Sequence, residues 1–216
     1  MNYLTIDAIK ELLSIPDISK SEGRRDLAIL SLLYDSGARV QEIEDMLVND
    51  IRIKKPATMR LTGKGEKTRI IPIMPQTISI IRAYINDYGL YKESKVSSAL
   101  FFNKKQEKLT RAGFSYIVNK YIQAARIKRP DLFPNKVSPH VFRHSKAMHL
   151  LESGVNLIYI RDFLGHSSVT TTEIYAKSNP EVKRKAIEQA STNVIPDEKF
   201  TKNEKDDLLN WLKEFI

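Results

Sequence analysis

Six polar residues carry groups from which chemistry on an anionic substrate could be assembled: Arg39, Lys64, His140, Arg143, His166 and Tyr175. Arginine stays protonated and presents a planar fork of donors, which suits phosphate or carboxylate oxygens. Lysine and histidine can hold or pass protons, and a tyrosine hydroxyl, with an ordinary pKa of about 10, becomes a nucleophile when it loses its proton. Taken singly, each has a plain structural explanation. An arginine at a helix start is most often part of a surface ion pair, a lysine in a glycine-rich turn is usually solvated, and a tyrosine such as Tyr175 usually packs its ring.

Other chemistries fit less well. The sequence has no cysteine, which removes thiolate catalysis and Cys-based zinc sites. His140 and His144 are four apart, a spacing that can hold a metal, but Val141 stands where the H-E-x-x-H pattern needs glutamate. No cluster of aspartates or glutamates offers the hard-oxygen ligands of a two-metal nuclease, although carboxylates far apart in sequence could still converge, so a metal-free reading is preferred and no cofactor is expected. The turn Gly63-Lys64-Gly65 lacks the longer glycine-rich pattern ending in Lys-Ser/Thr, so nucleotide binding there is rejected.

The elements that must position these residues are mostly helical. Periodicity predicts a short helix over Thr5 to Leu13 and a longer one from about Glu22 to Asp35, stopped by Ser36-Gly37. Arg39 then opens another, with Val40, Ile43 and Leu47 at helical spacing. β-branched alternation predicts strands near Ile51 to Lys54, Thr58 to Leu61 and Thr68 to Ile73. The last two are joined by Gly63 to Lys67, whose glycines permit a tight turn that presents Lys64. Further helices are expected from Gln76 to Tyr88 and Thr110 to Ala125. Ser138-Pro139 should open one by an N-cap Ser and first-turn Pro, setting His140 and Arg143 three apart on one face. That helix should end near Ser153-Gly154, and a second should span Asn156 to Leu164. After Gly165 and His166, Ser167 or Ser168 would cap a third helix that carries Tyr175. The fold class is therefore α+β: mainly α with a small antiparallel β-sheet.

At 216 residues the chain can bury a core as one domain. Its formal charge of +9 points to an anionic partner, nucleic acid first, because cations that neutralise phosphates release counterions. No apolar run approaches the roughly 18 residues of a membrane span, and no basic region followed by an apolar signal core opens the sequence. A cytoplasmic protein with no membrane partner is expected.

Taken in order, the six residues and their surroundings resemble the tyrosine recombinase, or phage integrase, family. Ser36-Gly37-Ala38-Arg39-Val40-Gln41-Glu42-Ile43 is similar to its first-arginine box, and Thr62 to Arg69 with Ile71-Pro72 to its lysine hairpin. His140-Val141-Phe142-Arg143-His144 resembles its H-x-x-R helix. Leu164-Gly165-His166 resembles its L-G-H turn, and Thr171 to Tyr175 its nucleophile segment. The resemblance covers roughly Thr5 to Ala190. It departs at Val40-Gln41, where a small polar pair is commoner, and at Ser145-Lys146-Ala147. The family usually carries an N-terminal helical domain that completes a clamp around DNA, whereas this sequence starts almost directly at the catalytic segment.

The resemblance implies a DNA enzyme of bacterial or phage origin that breaks and rejoins strands through a 3′-phosphotyrosine, without metal or ATP. Arg39, Arg143 and His166 would grip the phosphate, Lys64 would act as general acid, His140 would assist proton transfer or positioning, and Tyr175 would attack. Glu42 could orient Arg39 or form an ordinary surface pair. Lys67, Arg69, Arg111 and Lys120 are candidates for contacts with the DNA backbone. The partner would be double-stranded DNA, bound by a homo-oligomer, a tetramer, with accessory DNA-bending proteins. Residues 1–190 would form the catalytic domain and 191–216 a tail with a short helix. Its apolar stripe, Leu208, Leu209, Leu212, Phe215 and Ile216, would pack on its own domain or on a neighbouring protomer. The rival readings are a type IB topoisomerase-like enzyme and a non-catalytic DNA-binding regulator.

Overall fold

The computed structural model describes residues 3–134 and 137–165. His166, Tyr175, the cap at Ser167 or Ser168 and the boundary near residue 190 with its tail lie outside the described residues.

Three of the described helices begin where a side chain satisfies a first-turn amide. The first, α1 (Ile6–Ser14), is capped by Thr5, whose hydroxyl accepts from the Ala8 N–H at 3.2 Å. Next, α2 (Ser21–Ser36) ends at Gly37 in the left-handed conformation, with φ of 56°. A short α3 (Val40–Glu44) follows. It stops before Leu47 because the Asp50 carboxylate captures the Leu47 N–H at 2.8 Å and starts a tight turn over Val48–Asp50.

The sheet is antiparallel, in the order β1-β2-β3, from β1 (Ile51–Arg52), β2 (Thr58–Thr62) and β3 (Thr68–Pro72). Leu61 pairs with Arg69 and Met59 with Ile71 across the hairpin. Met59, Leu61 and Ile71 are buried, so this register turns Arg69 to the same inward face, while Ile70 is 70% exposed on the other. The chain continues into α4 (Pro75–Asp87) and α5 (Arg111–Lys128), the latter capped by Thr110.

The last described helices are α6 (His140–Glu152) and α7 (Leu157–Leu164). Contrary to expectation, the Ser138 hydroxyl does not cap α6; the Ser138 carbonyl accepts from the Val141 N–H at 2.9 Å, and the helix starts at His140. Asn156 caps α7 through the Ile158 N–H at 2.9 Å.

Packing centres on α2. Ala28, Ile29, Leu30, Leu32 and Leu33 are fully buried, which leaves this stretch no solvent face and lets α1, α4, α5 and α6 all pack on it. A smaller cluster of Ala147, Met148, Leu151, Ile160 and Leu164 joins α6 to α7. Thus α6 packs on both α2 and α7, and the hairpin meets the helices at α3. Among the described residues no helix is long and apolar enough to cross a membrane.

Candidate active site

The chain reverses sharply after α2. The Ser36 hydroxyl donates to the Leu32 carbonyl at 2.6 Å and accepts from the Ala38 N–H at 3.0 Å. Gly37 combines its left-handed backbone with close packing, since a Cβ there would fall 2.7 Å from Leu164 Cδ2. Arg39 follows in an extended conformation as the residue before α3, with its side chain 43% exposed. The first-arginine box is therefore a turn pressed against the end of α7.

Glu42 is the central acceptor of this region and is only 4% exposed. Its Oε2 accepts from the Arg39 backbone N–H at 2.7 Å and from Arg69 Nη2 at 2.9 Å. Its Oε1 accepts from Arg69 Nη1 at 2.7 Å and from Arg39 Nη1 at 3.3 Å. Burial alone would raise the Glu42 carboxyl. The Arg69 hydrogen bonds and charge, the Arg39 N–H and the nearby Arg143 charge outweigh it and hold the pKa below its ordinary value. Of the two roles left open for Glu42, orientation of Arg39 agrees with its burial, and a surface pair does not.

Arg143, 5% exposed, bridges two turns. Its Nη1 donates to the Gly37 carbonyl at 2.8 Å and its Nη2 to the Leu164 carbonyl at 2.7 Å. The same guanidinium therefore locks the turn before Arg39 to the turn before His166. His140 lies one helical turn earlier in α6 and is exposed. His144 is partly buried, and burial, followed by the charges of His140 and Arg143, lowers its pKa.

Lys64 begins the turn Lys64–Glu66 between β2 and β3. The hairpin is closed by Gly63 N–H donating to the Lys67 carbonyl at 2.9 Å. Positive φ falls on Gly65 (73°) and Glu66 (57°) and not on Gly63. Gly63 serves instead for close approach: a Cβ there would lie 3.1 Å from Glu42 Oε1. The turn of Lys64 thus sits over the carboxylate that holds Arg39.

The structure brings together the Arg39 box, the lysine hairpin, Arg143 and the Leu164-Gly165 turn, and sets His140 at the exposed start of the Arg143 helix. Two of the basic residues named as candidates for DNA contact have acidic partners within the protein, Arg69 largely enclosed and Lys120 still exposed. Arg69 is 14% exposed and paired with Glu42, and Lys120 pairs with Asp26 and Glu22 at 3.4 and 3.8 Å. The period-two pattern of β3, which puts Arg69 on the face of Ile71, was the available signal for Arg69. The departures at Ser145 and Lys146 also have internal partners. Ser145 accepts from the Leu4 N–H at 2.9 Å, and Lys146 reaches Asp35 at 3.4 Å and lies over the rings of Tyr34 and Phe163.

A mainly helical body carrying one small antiparallel hairpin sheet is also the fold of solved recombinases. A crystal structure of XerA recombinase matches at 25% identity with a TM-score of 0.71, covering 89% of this chain and 64% of that one. XerH site-specific recombinase, bound to its palindromic difH substrate after cleavage, matches at 25% identity and a TM-score of 0.70, covering 88% and 52%. Among curated relatives, tyrosine recombinase XerD of Staphylococcus haemolyticus is 36% identical over 176 residues, which make up 81% of this chain and 57% of the relative. XerD of Corynebacterium glutamicum is 37% identical over 172 residues, covering 80% and 53%. The profile of the phage integrase family matches residues 2–182, and the chain belongs to that family. It spans little more than half the length of these two curated relatives.

Proposed function

We propose that this chain carries the catalytic centre of a site-specific recombinase that cuts and rejoins double-stranded DNA through Tyr175. The observation that supports this most directly is the bond network of Glu42, Arg69 and Arg143, which draws motifs from residues 37 to 165 to one place. A phosphodiester is anionic and its alkoxide leaving group is poor, so cleavage needs fixed positive charge and a proton donor. Arg39, half-exposed and oriented by Glu42, supplies charge toward solvent. Arg143 supplies charge from the wall between two turns, and His166 adds a hydrogen bond to the phosphate.

In the proposed step the Tyr175 oxygen bonds to phosphorus as its proton passes to solvent or to His140. The bond from phosphorus to the 5′ oxygen breaks, and that oxygen takes a proton from Lys64, with His140 assisting. A 3′-phosphotyrosine and a 5′-hydroxyl result. Attack by a second 5′-hydroxyl reverses the step on a new partner, so the phosphodiester energy is conserved and ATP has no role. XerH was captured after cleavage with its difH substrate, and the same partner class, duplex DNA, is proposed here. We further assign the catalytic domain to residues 1–190 and the tail 191–216 to contact with a neighbouring protomer in a DNA-bound tetramer, with accessory DNA-bending proteins, in the cytoplasm.

The test is a denaturing-gel assay with nicked duplexes from the element's own DNA ends, in which loss of the short strand traps the covalent intermediate. The wild type should form a protein–DNA adduct that chelator leaves unchanged, and Tyr175→Phe should bind DNA and form none. Tight binding without an adduct on those ends would overturn the enzyme reading in favour of a DNA-binding regulator.

A further inference from the structure

We infer that Arg69 is a positioning residue that sets the place of Lys64, by locking the lysine hairpin to both the Arg39 box and the Leu164-Gly165 turn. The inference rests on the recombinase reading above and goes beyond it by assigning a role to a residue outside the six.

The hairpin has a mechanical difficulty that Arg69 answers. Among the described residues β3 is the edge of a three-stranded sheet, with no further strand on its outer side. The turn of Lys64 projects from the end of that hairpin, and a general acid must come within about 3 Å of the oxygen it protonates. Something must fix the angle of the hairpin against the helical body. Arg69 lies five residues beyond Lys64, and all three of its nitrogens have acceptors on other elements. Nη1 and Nη2 donate in parallel to Glu42 at 2.7 and 2.9 Å, and Nε donates to the Phe163 carbonyl at 3.0 Å. A planar fork with a third donor on its edge meets these acceptors as a lysine could not.

The surroundings are shaped to this guanidinium. Gly165, at φ of 66°, leaves room for it: a Cβ there would fall 2.8 Å from Arg69 Nη1 and 3.1 Å from its Cζ. Gly63 approaches the same carboxylate from the hairpin side. One guanidinium therefore ties β3, the strand that follows the Lys64 turn, to Glu42 of α3 and to the end of α7 that precedes His166, while itself being largely shielded from solvent. With all three nitrogens occupied, Arg69 would have to loosen its hold on Glu42 or on the Phe163 carbonyl to bind DNA fully.

The role predicts a specific chemical signature. If Arg69 acts through Lys64, its loss should matter when the leaving oxygen needs a proton and matter little when it does not. A nicked duplex with sulfur replacing the 5′ bridging oxygen supplies that contrast. A thiol ionises near pH 8.5, far below the value of about 15.7 for water, so a thiolate departs without protonation.

The experiment compares wild type, Arg69→Lys, Arg69→Met and Lys64→Ala on ordinary and 5′-thio nicked duplexes, measuring DNA affinity, adduct amplitude and adduct rate. Amplitude on the thio substrate counts the folded, DNA-competent fraction, so a folding loss is read apart from a rate loss. For Arg69→Lys we expect affinity close to wild type and a rate on ordinary DNA reduced on the order of 100-fold, the scale of a misplacement of about 1 Å. On the thio substrate its rate should be within roughly 3-fold of wild type, like that of Lys64→Ala, as expected when only the proton transfer is impaired. Adding Arg69→Lys to Lys64→Ala should slow the ordinary substrate no further, because two residues acting through one step are not additive. Equal slowing on both substrates, or no slowing on ordinary DNA, would overturn the inference. A wild type that forms no adduct on either substrate would overturn the recombinase reading itself, and this role with it.

Discussion

Two buried carboxylates in this molecule are gripped by arginine in nearly the same way and end in different surroundings. Asp26, fully buried on α2, accepts from Arg25 Nε and Nη2 at 3.0 and 2.7 Å, from the Tyr121 hydroxyl at 3.0 Å and from Lys120 at 3.4 Å. Arg25 Nη1 completes the junction on the Phe102 carbonyl at 3.2 Å. Glu42 is held by the Arg69 fork, whose third nitrogen reaches the Phe163 carbonyl. Each junction uses one guanidinium to join a carboxylate to a distant backbone carbonyl. The Asp26 junction closes on itself between α2 and α5, and its tyrosine is pushed to higher pKa by burial first and by Asp26 second. The Glu42 junction also holds Arg39, which is 43% exposed, and sits beneath the turn of Lys64. The same physical device ties helices together in one place and aims a solvent-facing cation in the other.

The contrast can be broken by substitution. Asp26→Ala leaves Arg25 buried without its carboxylate and should lower unfolding free energy by about 3–5 kcal/mol, the usual result of removing one partner of a buried pair. Urea denaturation measures it, and adduct rate per folded molecule should be unchanged; a fall in that rate would show that the two junctions are not separate in function. Arg39→Ala should do the reverse. Its partly exposed pair contributes at most about 1 kcal/mol to stability, while loss of a charge-stabilising donor should slow adduct formation about 100- to 1,000-fold. A large fall in melting temperature for Arg39→Ala would remove the distinction.

Acidification sharpens it next. His149, buried on α6 with Nδ1 2.9 Å from the Tyr34 hydroxyl, has its pKa lowered below 6.5 by burial first, with Glu152 opposing and Lys146 assisting. The folded state therefore binds fewer protons than the unfolded chain. Its contribution is fully present above about 6.5 and is lost as pH falls from there through the lowered folded value. His144 has the same sign. Glu42, held below 4.5, loses its contribution only further into acid. The denaturation midpoint should thus decline from pH 7.5 to 5.5, and His149→Gln should flatten the decline; an unchanged slope would exclude His149 as the cause. The smallest effect belongs to the surface. Lys108 pairs with Asp45 at 2.8 Å with both side chains about half exposed, and Lys108→Ala should change stability by no more than about 1 kcal/mol.

Much of the architecture was readable from local pattern. Helices α1, α2, α4 and α7 fall within a residue or so of the expected spans, because caps such as Thr5 and Asn156 and the left-handed stops at Gly37 and Gly165 act over a single turn. The two strands of the hairpin also lie within a residue of their expected spans. Where the reading failed, a local competitor intervened: Asp50 took the Leu47 N–H and shortened α3, and the Ser138 carbonyl replaced its hydroxyl at the start of α6.

The buried charges were a different matter. Lys67, Arg69, Arg111 and Lys120 look alike in composition, and nothing within a few residues of Arg69 reveals that Glu42, 27 positions earlier, will grip it. The link from Arg143 to the Gly37 carbonyl spans 106 positions. Amino-acid order determined which residues could do chemistry and which short elements would carry them, since propensity, capping and turn geometry are settled between near neighbours. Packing of α6 on α2 and α7, and of the hairpin on α3, decided which cation faces solvent and which is enclosed. That choice depends on burial and on partners far along the chain, and these exist only once the helices have closed on one another.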